Sequence, residues 1–127
     1  MKKLEVEINI SGYPVGTLRW FNNIIDHSKL VISDVRSDYP AIYLRTDNGD
    51  DTYIYRFLCK RATEDTNSSC IITEDGYACT YPQQIYDVIG FESKPLTPNC
   101  YRAIKELIME AKDIFAEWWE NDGKLKE

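Results

Sequence analysis

The residues of this 127-residue chain with nucleophilic or soft-ligand chemistry are Cys59, Cys70, Cys79, Cys100 and a single histidine, His27. No two of the cysteines form a C-x-x-C pair. A closed zinc site would therefore need all four thiolates, or three with His27, gathered from scattered segments. The spacing reads instead as small buried thiols, and no metal or other cofactor is expected. Cys100 falls in the first turn of a predicted helix, where unpaired amides and the helix dipole favour a thiolate. It becomes a nucleophile only if the fold carries His27 to it. The phosphate-binding, dinucleotide-binding, serine-hydrolase and zinc-protease motifs are all absent. Asp47-Asn48-Gly49-Asp50-Asp51 lacks the alternating ligands and closing glutamate of a calcium loop, and reads as a turn.

Cations carry the second kind of chemistry. If the Asn48-Gly49 hairpin has a loop of two or four residues, Thr46 faces Asp51, Leu44 faces Tyr53 and Ile42 faces Tyr55. One side of that hairpin then carries Ile42, Leu44, Tyr53, Tyr55 and Phe57. The other carries Tyr43, Arg45, Ile54 and Arg56, with Leu58 beyond. Arg45 and Arg56 beside Tyr43 suit an anionic small ligand or nucleotide, because guanidinium forks match phosphate and carboxylate oxygens. The same face also suits a homodimer contact, since Tyr and Arg are enriched at interfaces.

Carboxylates carry the third. Glu106, Glu110, Asp113, Glu117 and Glu120 recur at spacings of three and four in a helical pattern, so like charges stand side by side at about 0.2–0.5 kcal/mol per close pair. Arg102 can offset Glu106, whereas Lys105 and Lys112 sit nearer the apolar boundary. The stripe reads as a solvated face or as an anionic ridge for a basic protein partner.

The elements that position these groups follow from periodicity. Thr97 suits an N-cap, Pro98 the first helical position and Gly123 a left-handed stop, which predicts a helix over 98–122. Tyr101, Ile104, Leu107, Ile108, Ala111, Ile114, Phe115, Trp118 and Trp119 fall within an arc of roughly 140° on that helix. Residues 4–91 read as short strands. Leu4, Val6, Ile8 and Ile10 alternate with polar residues, and further strands are expected at about 15–21, 29–35, 40–46 and 51–60. A second hairpin, 70–73 with 77–81, turns at Asp75-Gly76, and 85–91 is ambiguous between strand and helical turn. The resulting class is α+β: an antiparallel meander of about five to eight strands, with one long C-terminal amphipathic helix packed on one face.

Composition bounds the rest. Apolar residues make up 43% and charged residues 28% of the chain, which is ordinary globular composition. One domain of this length buries about two-thirds of its unfolded surface without disulfides or metal. A net charge of −6 argues against sequence-independent binding to nucleic acid, which needs clustered Lys and Arg. No apolar run approaches membrane length, and Met1-Lys2-Lys3-Leu4-Glu5 lacks the apolar core of a signal peptide, so no membrane contact and a cytoplasmic location are expected. Tyr13, Tyr39, Tyr81 and Tyr86 lie beside turns or prolines and are expected to be half exposed, in a chain with 13% aromatics.

Three classes of function fit these readings. The first is a non-enzymatic interaction module that inhibits or adapts a basic partner, as small acidic proteins of phages and mobile elements do. The second is a small-ligand or nucleotide-sequestering protein using Tyr43, Arg45 and Arg56, across a homodimer or within one chain. The third is an enzyme whose site has no recognised motif.

Overall fold

The computed structural model describes residues 4–8, 28–63, 70–89 and 98–124. They form strands β1 (Glu5–Ile8), β2 (Ser28–Ser33), β3 (Ala41–Asp47), β4 (Tyr53–Arg61), β5 (Cys70–Ile72) and β6 (Tyr77–Thr80), followed by helices α1 (Pro82–Ile89) and α2 (Pro98–Glu120). The expected strand at 15–21, the N-cap Thr97, Tyr13 and His27 lie outside the described residues. The ambiguous segment after residue 85 is helical as far as Ile89, with Pro82 at the first helical position and Ile85 buried. No helix among the described residues is long and apolar enough to cross a membrane.

The fold is α+β. All the described strands join one six-stranded antiparallel sheet, in the order β1-β2-β3-β4-β6-β5. The meander therefore holds through β4 and then breaks, because β6 rather than β5 pairs with β4. Burial explains the exchange. Every residue of β6 is buried, which requires neighbours on both edges and cover on both faces. The Ile71 and Ile72 side chains of β5 remain well exposed, as an edge strand allows.

Helix α2 lies over β4, with β6 and β3 beside it, and α1 packs against it. Its buried stripe is Ile104, Leu107, Ile108, Ala111, Phe115 and Trp118, pressed on Leu30, Ile32, Ile42, Leu44, Leu58, Cys59, Tyr77 and Cys79. Phe115 meets the Tyr77 ring edge-on at 6.0 Å and the tilted Trp118 ring at 5.7 Å. The stripe is narrower than its periodicity suggests, since Tyr101 and Trp119 are each 42% exposed at its margin. At the C-terminus, the Gly123 amide donates to the Trp118 carbonyl at 2.9 Å, the long back-bond of a Schellman ending. The left-handed turn begins one residue earlier than expected, at Asp122 (φ 56°), and Gly123 continues it (φ 78°). Asp tolerates this region because its short polar side chain bonds locally.

The β3–β4 register departs from the expected one. Asp47 faces Tyr53, Arg45 faces Tyr55, Leu44 faces Arg56 and Tyr43 faces Phe57. The loop is wider than an Asn-Gly type I′ turn. The Asn48 amide donates to the Thr52 carbonyl at 3.1 Å, closing a loop of Gly49, Asp50 and Asp51. Gly49 (φ 84°) and Asp51 (φ 65°) take the left-handed conformations. Carboxylates cap the turn from within: Asp47 Oδ1 accepts from the Gly49 amide at 2.8 Å, and Asp50 Oδ1 from the Thr52 amide at 3.2 Å. An odd loop in place of an even one inverts the faces of β4 relative to β3. Tyr53, Tyr55 and Phe57 thus lie on the side away from α2, and a bulge between Ile42 and Tyr43 lets both Leu58 and Cys59 enter the helix-side core.

These contacts rank the side chains by cost. Phe115→Ala is expected to lower the unfolding free energy by about 3–5 kcal/mol, because it opens a cavity under three aromatic rings. Trp119→Ala, which removes a half-exposed ring, is expected to cost about 1 kcal/mol. Urea titrations of the two variants measure the difference.

Candidate functional site

Two surfaces carry the residues singled out by their chemistry. On the sheet face away from α2, Val31, Ala41 and Tyr43 form a small buried cluster joined by Tyr55 and Phe57. Tyr43 meets Tyr55 and Phe57 edge-on at 5.7 and 6.1 Å. Burial raises the Tyr43 phenol above its usual value, so it is neutral at any physiological pH. Arg45 extends from the same face across β2 to β1. Its Nη1 lies 2.6 Å from Glu5 Oε2 and its Nη2 lies 2.5 Å from Glu7 Oε1. Lys29 adds a second cation 3.2 Å from Glu7, and the Tyr55 hydroxyl donates to Glu5 at 2.7 Å. Arg45 also stacks over Tyr53 at 4.7 Å.

Both terminal nitrogens of Arg45 are thus engaged by carboxylates of its own chain. Its side chain is only 11% exposed, and its Nε is buried without a partner. Burial opposes the charge on Arg45, but the two carboxylates outweigh it and hold its pKa above the ordinary value. Arg56 lies on the opposite face of the sheet, where the register sets it across from Leu44. Its Nη1 donates to Thr46 Oγ1 at 2.7 Å, and burial lowers its pKa. The structure therefore keeps Tyr43 and Arg45 together and separates Arg56 from them. Inverted strand parity is the cause.

No protein-family model matches the chain, and no curated protein or solved structure matches it significantly. The side chains themselves carry the functional argument.

The second surface is the outer side of α2. Glu106, Glu110, Asp113, Glu117 and Glu120 are all exposed, as their spacing requires once the apolar stripe is buried. Asp113, Glu117 and Glu120 line an open hollow of about 490 Å³ with Ala116, Asn121, Lys112 and Asp75. Asp75 comes from the β5–β6 turn, so strand and helix build the hollow together. Lys112 Nζ bridges Asp75 at 2.9 Å and Asp113 at 3.0 Å, and those two bonds raise its pKa. Asp75 is held below its usual value by the Thr73 hydroxyl and by Lys112. Glu106, Glu110, Glu117 and Glu120 have no ion-pair partner among the described residues, so Arg102 does not neutralise Glu106.

Sequence reasoning missed Asp75 and the pairing of Arg45 with Glu5 and Glu7. The alternation of Leu4, Val6 and Ile8 already set Glu5 and Glu7 on one face. What they would meet depended on strand order. Tyr39 and Tyr81 are exposed as expected, at 66% and 41%. The proposed Cys100–His27 pair lies outside the described side chains.

The Arg45 cluster makes a pH prediction. Hydrogen bonds from Arg45 and Lys29 hold the Glu7 carboxyl below its ordinary value. A lowered folded-state pKa stabilises the protein above the unfolded value of about 4.3, and that contribution is lost as pH falls through the folded value. Arg45→Met is expected to move the Glu7 midpoint back up in a carboxyl NMR titration. Its cost at neutral pH is expected to be about 1 kcal/mol or less, because Glu7 is well hydrated.

Proposed function

We propose that this protein is a small, non-enzymatic binding module of the cytoplasm that takes a basic protein partner on the acidic face of α2. The observation carrying this reading is the row Glu106, Glu110, Asp113, Glu117 and Glu120, all exposed, with four of the five outside any ion pair among the described residues. Carboxylates kept this close repel one another. Counter-charges from a partner relieve that repulsion, steer encounter and set register. The hollow beside them supplies concavity, with Asp75, Asp113, Glu117 and Glu120 set against the single ammonium of Lys112. Trp119, half exposed on the flank of α2 and stacked on Phe115, supplies a large rigid apolar contact of the kind that anchors interfaces.

An anionic ligand at Tyr43, Arg45 and Arg56 has weaker support. Such a ligand would have to displace Glu5 and Glu7 from Arg45, and Arg56 faces the other way. An inhibitory or adaptor role, of the kind that mobile elements encode, would use this acidic face to cover a basic surface of the partner.

The variant Glu110→Lys/Asp113→Lys/Glu117→Lys tests the reading. Wild type is expected to retain basic proteins from the source cell at low salt and to release them at ~0.5 M, where the screening length falls to about 4 Å. The variant is expected to retain none of them while unfolding within about 1 kcal/mol of wild type, since all three side chains are exposed and only Asp113 makes an ion pair, with Lys112 at the surface. Identical captured proteins with and without the charge reversal would refute the proposal.

A further inference from the structure

The helix-side core contains a pair of thiols that the proposed binding surface does not use. Cys59 on β4 and Cys79 on β6 are direct partners in the antiparallel ladder, and both are fully buried. Directly opposed residues in such a ladder have Cα atoms about 4.5–5.5 Å apart, inside the range of about 4.4–6.8 Å that a disulfide spans. Residues opposed in this way carry their side chains on the same face of the sheet, and both Cys59 and Cys79 belong to the helix-side core. Cys70 is not a competitor by geometry. It faces Thr80 on β5, one residue out of step with Cys79, and so points to the other side of the sheet.

We propose that Cys59 and Cys79 are a dithiol site, closed by low-molecular-weight disulfides into a cross-strand disulfide beneath α2. The chemistry balances in two exchanges. The Cys79 thiolate attacks one sulfur of the reagent disulfide, forming a mixed disulfide and releasing the first reagent thiol. The Cys59 thiol then loses its proton to solvent and attacks the Cys79 sulfur, releasing the second reagent thiol. Two protein thiols are oxidised and one disulfide is reduced to two thiols.

Cys79 is the attacking member, because β6 stands one strand from the sheet edge whereas β4 lies in its interior. Cys59 and the Lys112 ammonium favour the Cys79 thiolate, and burial and the carboxylates of Asp75 and Asp113 oppose it. Burial pushes Cys59 up. Access is through the sheet edge. Cys79 is covered on that side by β5, a three-residue strand whose Ile71 faces it and whose Ile71 and Ile72 are exposed. Fraying of so short an edge requires far less than global unfolding. Closure ties β6 to β4 and so fixes the turn that presents Asp75 to the acidic hollow.

The test uses the full chain with Cys70→Ser and Cys100→Ser, which leaves only Cys59 and Cys79, treated in the folded state with oxidised glutathione. The intact mass is expected to fall by two hydrogens with no glutathione retained. Thiols alkylated after denaturation are expected to fall from two to none, with the protein monomeric on a non-reducing gel. Dithiothreitol is expected to reverse both changes. The oxidised form is expected to melt several degrees higher, because the cross-link closes the segment between the two strands, and adding Cys59→Ala is expected to abolish that shift. If the double-serine chain does not fold, a non-reducing digest of oxidised wild type is expected to yield one cross-linked peptide joining Cys59 to Cys79. The proposal is overturned if both thiols stay reduced under conditions that fully oxidise the urea-unfolded chain. Stable glutathione adducts, intermolecular dimers or a cross-link to another cysteine would equally overturn it.

Discussion

Burial of one face of α2 against β3, β4 and β6 is the constraint from which the other features descend. Ile104, Leu107, Ile108, Ala111, Phe115 and Trp118 come out of water together on a sheet face lined by Leu30, Ile32, Ile42, Leu44 and Tyr77. Fully burying such a set is worth on the order of 10 kcal/mol gross, enough to fix how the helix is rotated. Any rotation that hid Glu110 or Glu117 would bury unpaired charge at several kcal/mol each, so the acidic stripe has one place to go. The outward surface of the helix is therefore a by-product of its inward one.

The sheet obeys a comparable rule of parity. With Ile42 and Leu44 turned toward α2, Tyr43 and Arg45 must turn away, because successive side chains alternate across a strand. The partner strand then depends on a single turn. Three residues between Asn48 and Thr52, capped by Asp47 and Asp50, send Tyr55 and Phe57 to the Tyr43 side and Arg56 to the other. The aromatic cluster that results buries Tyr43, and the Tyr55 hydroxyl joins Glu5 and Arg45 in one polar network. The terminal nitrogens of Arg45 are thereby engaged by carboxylates of the same chain.

Insertion of β6 between β4 and β5 has consequences at both of its ends. The turn that precedes it carries Asp75 to Lys112, extending the helical acid row into a hollow shared by two elements. Further along the strand it places Cys79 across from Cys59, both fully buried in the core. Tyr77 lies between these features, its ring flanked by the Arg61 guanidinium at 5.0 Å and the Lys112 ammonium at 5.8 Å. A single exchange of strand order thus brings the acid cluster and the dithiol to within a few residues of each other.

Local periodicity determined a good part of this molecule by itself. The α+β class, the strands β1 to β6 to within a few residues, the helix from Pro98 and the exposure of Glu106, Glu110, Asp113, Glu117 and Glu120 follow from residue spacing, because a helix or strand has its own repeat whatever it packs against. Three things were decided only in the tertiary structure. Loop parity placed Arg45 and Arg56 on opposite faces, and Asn48-Gly49 alone does not say whether side-chain caps will widen the turn. Strand order brought Glu5 and Glu7 to Arg45 and Cys59 to Cys79, and order rests on which strands can be buried on both edges. Asp75 joined the helical carboxylates only because a turn distant in the chain is adjacent in space. Repeats are local and read directly from the residues; adjacency is a property of the packed whole.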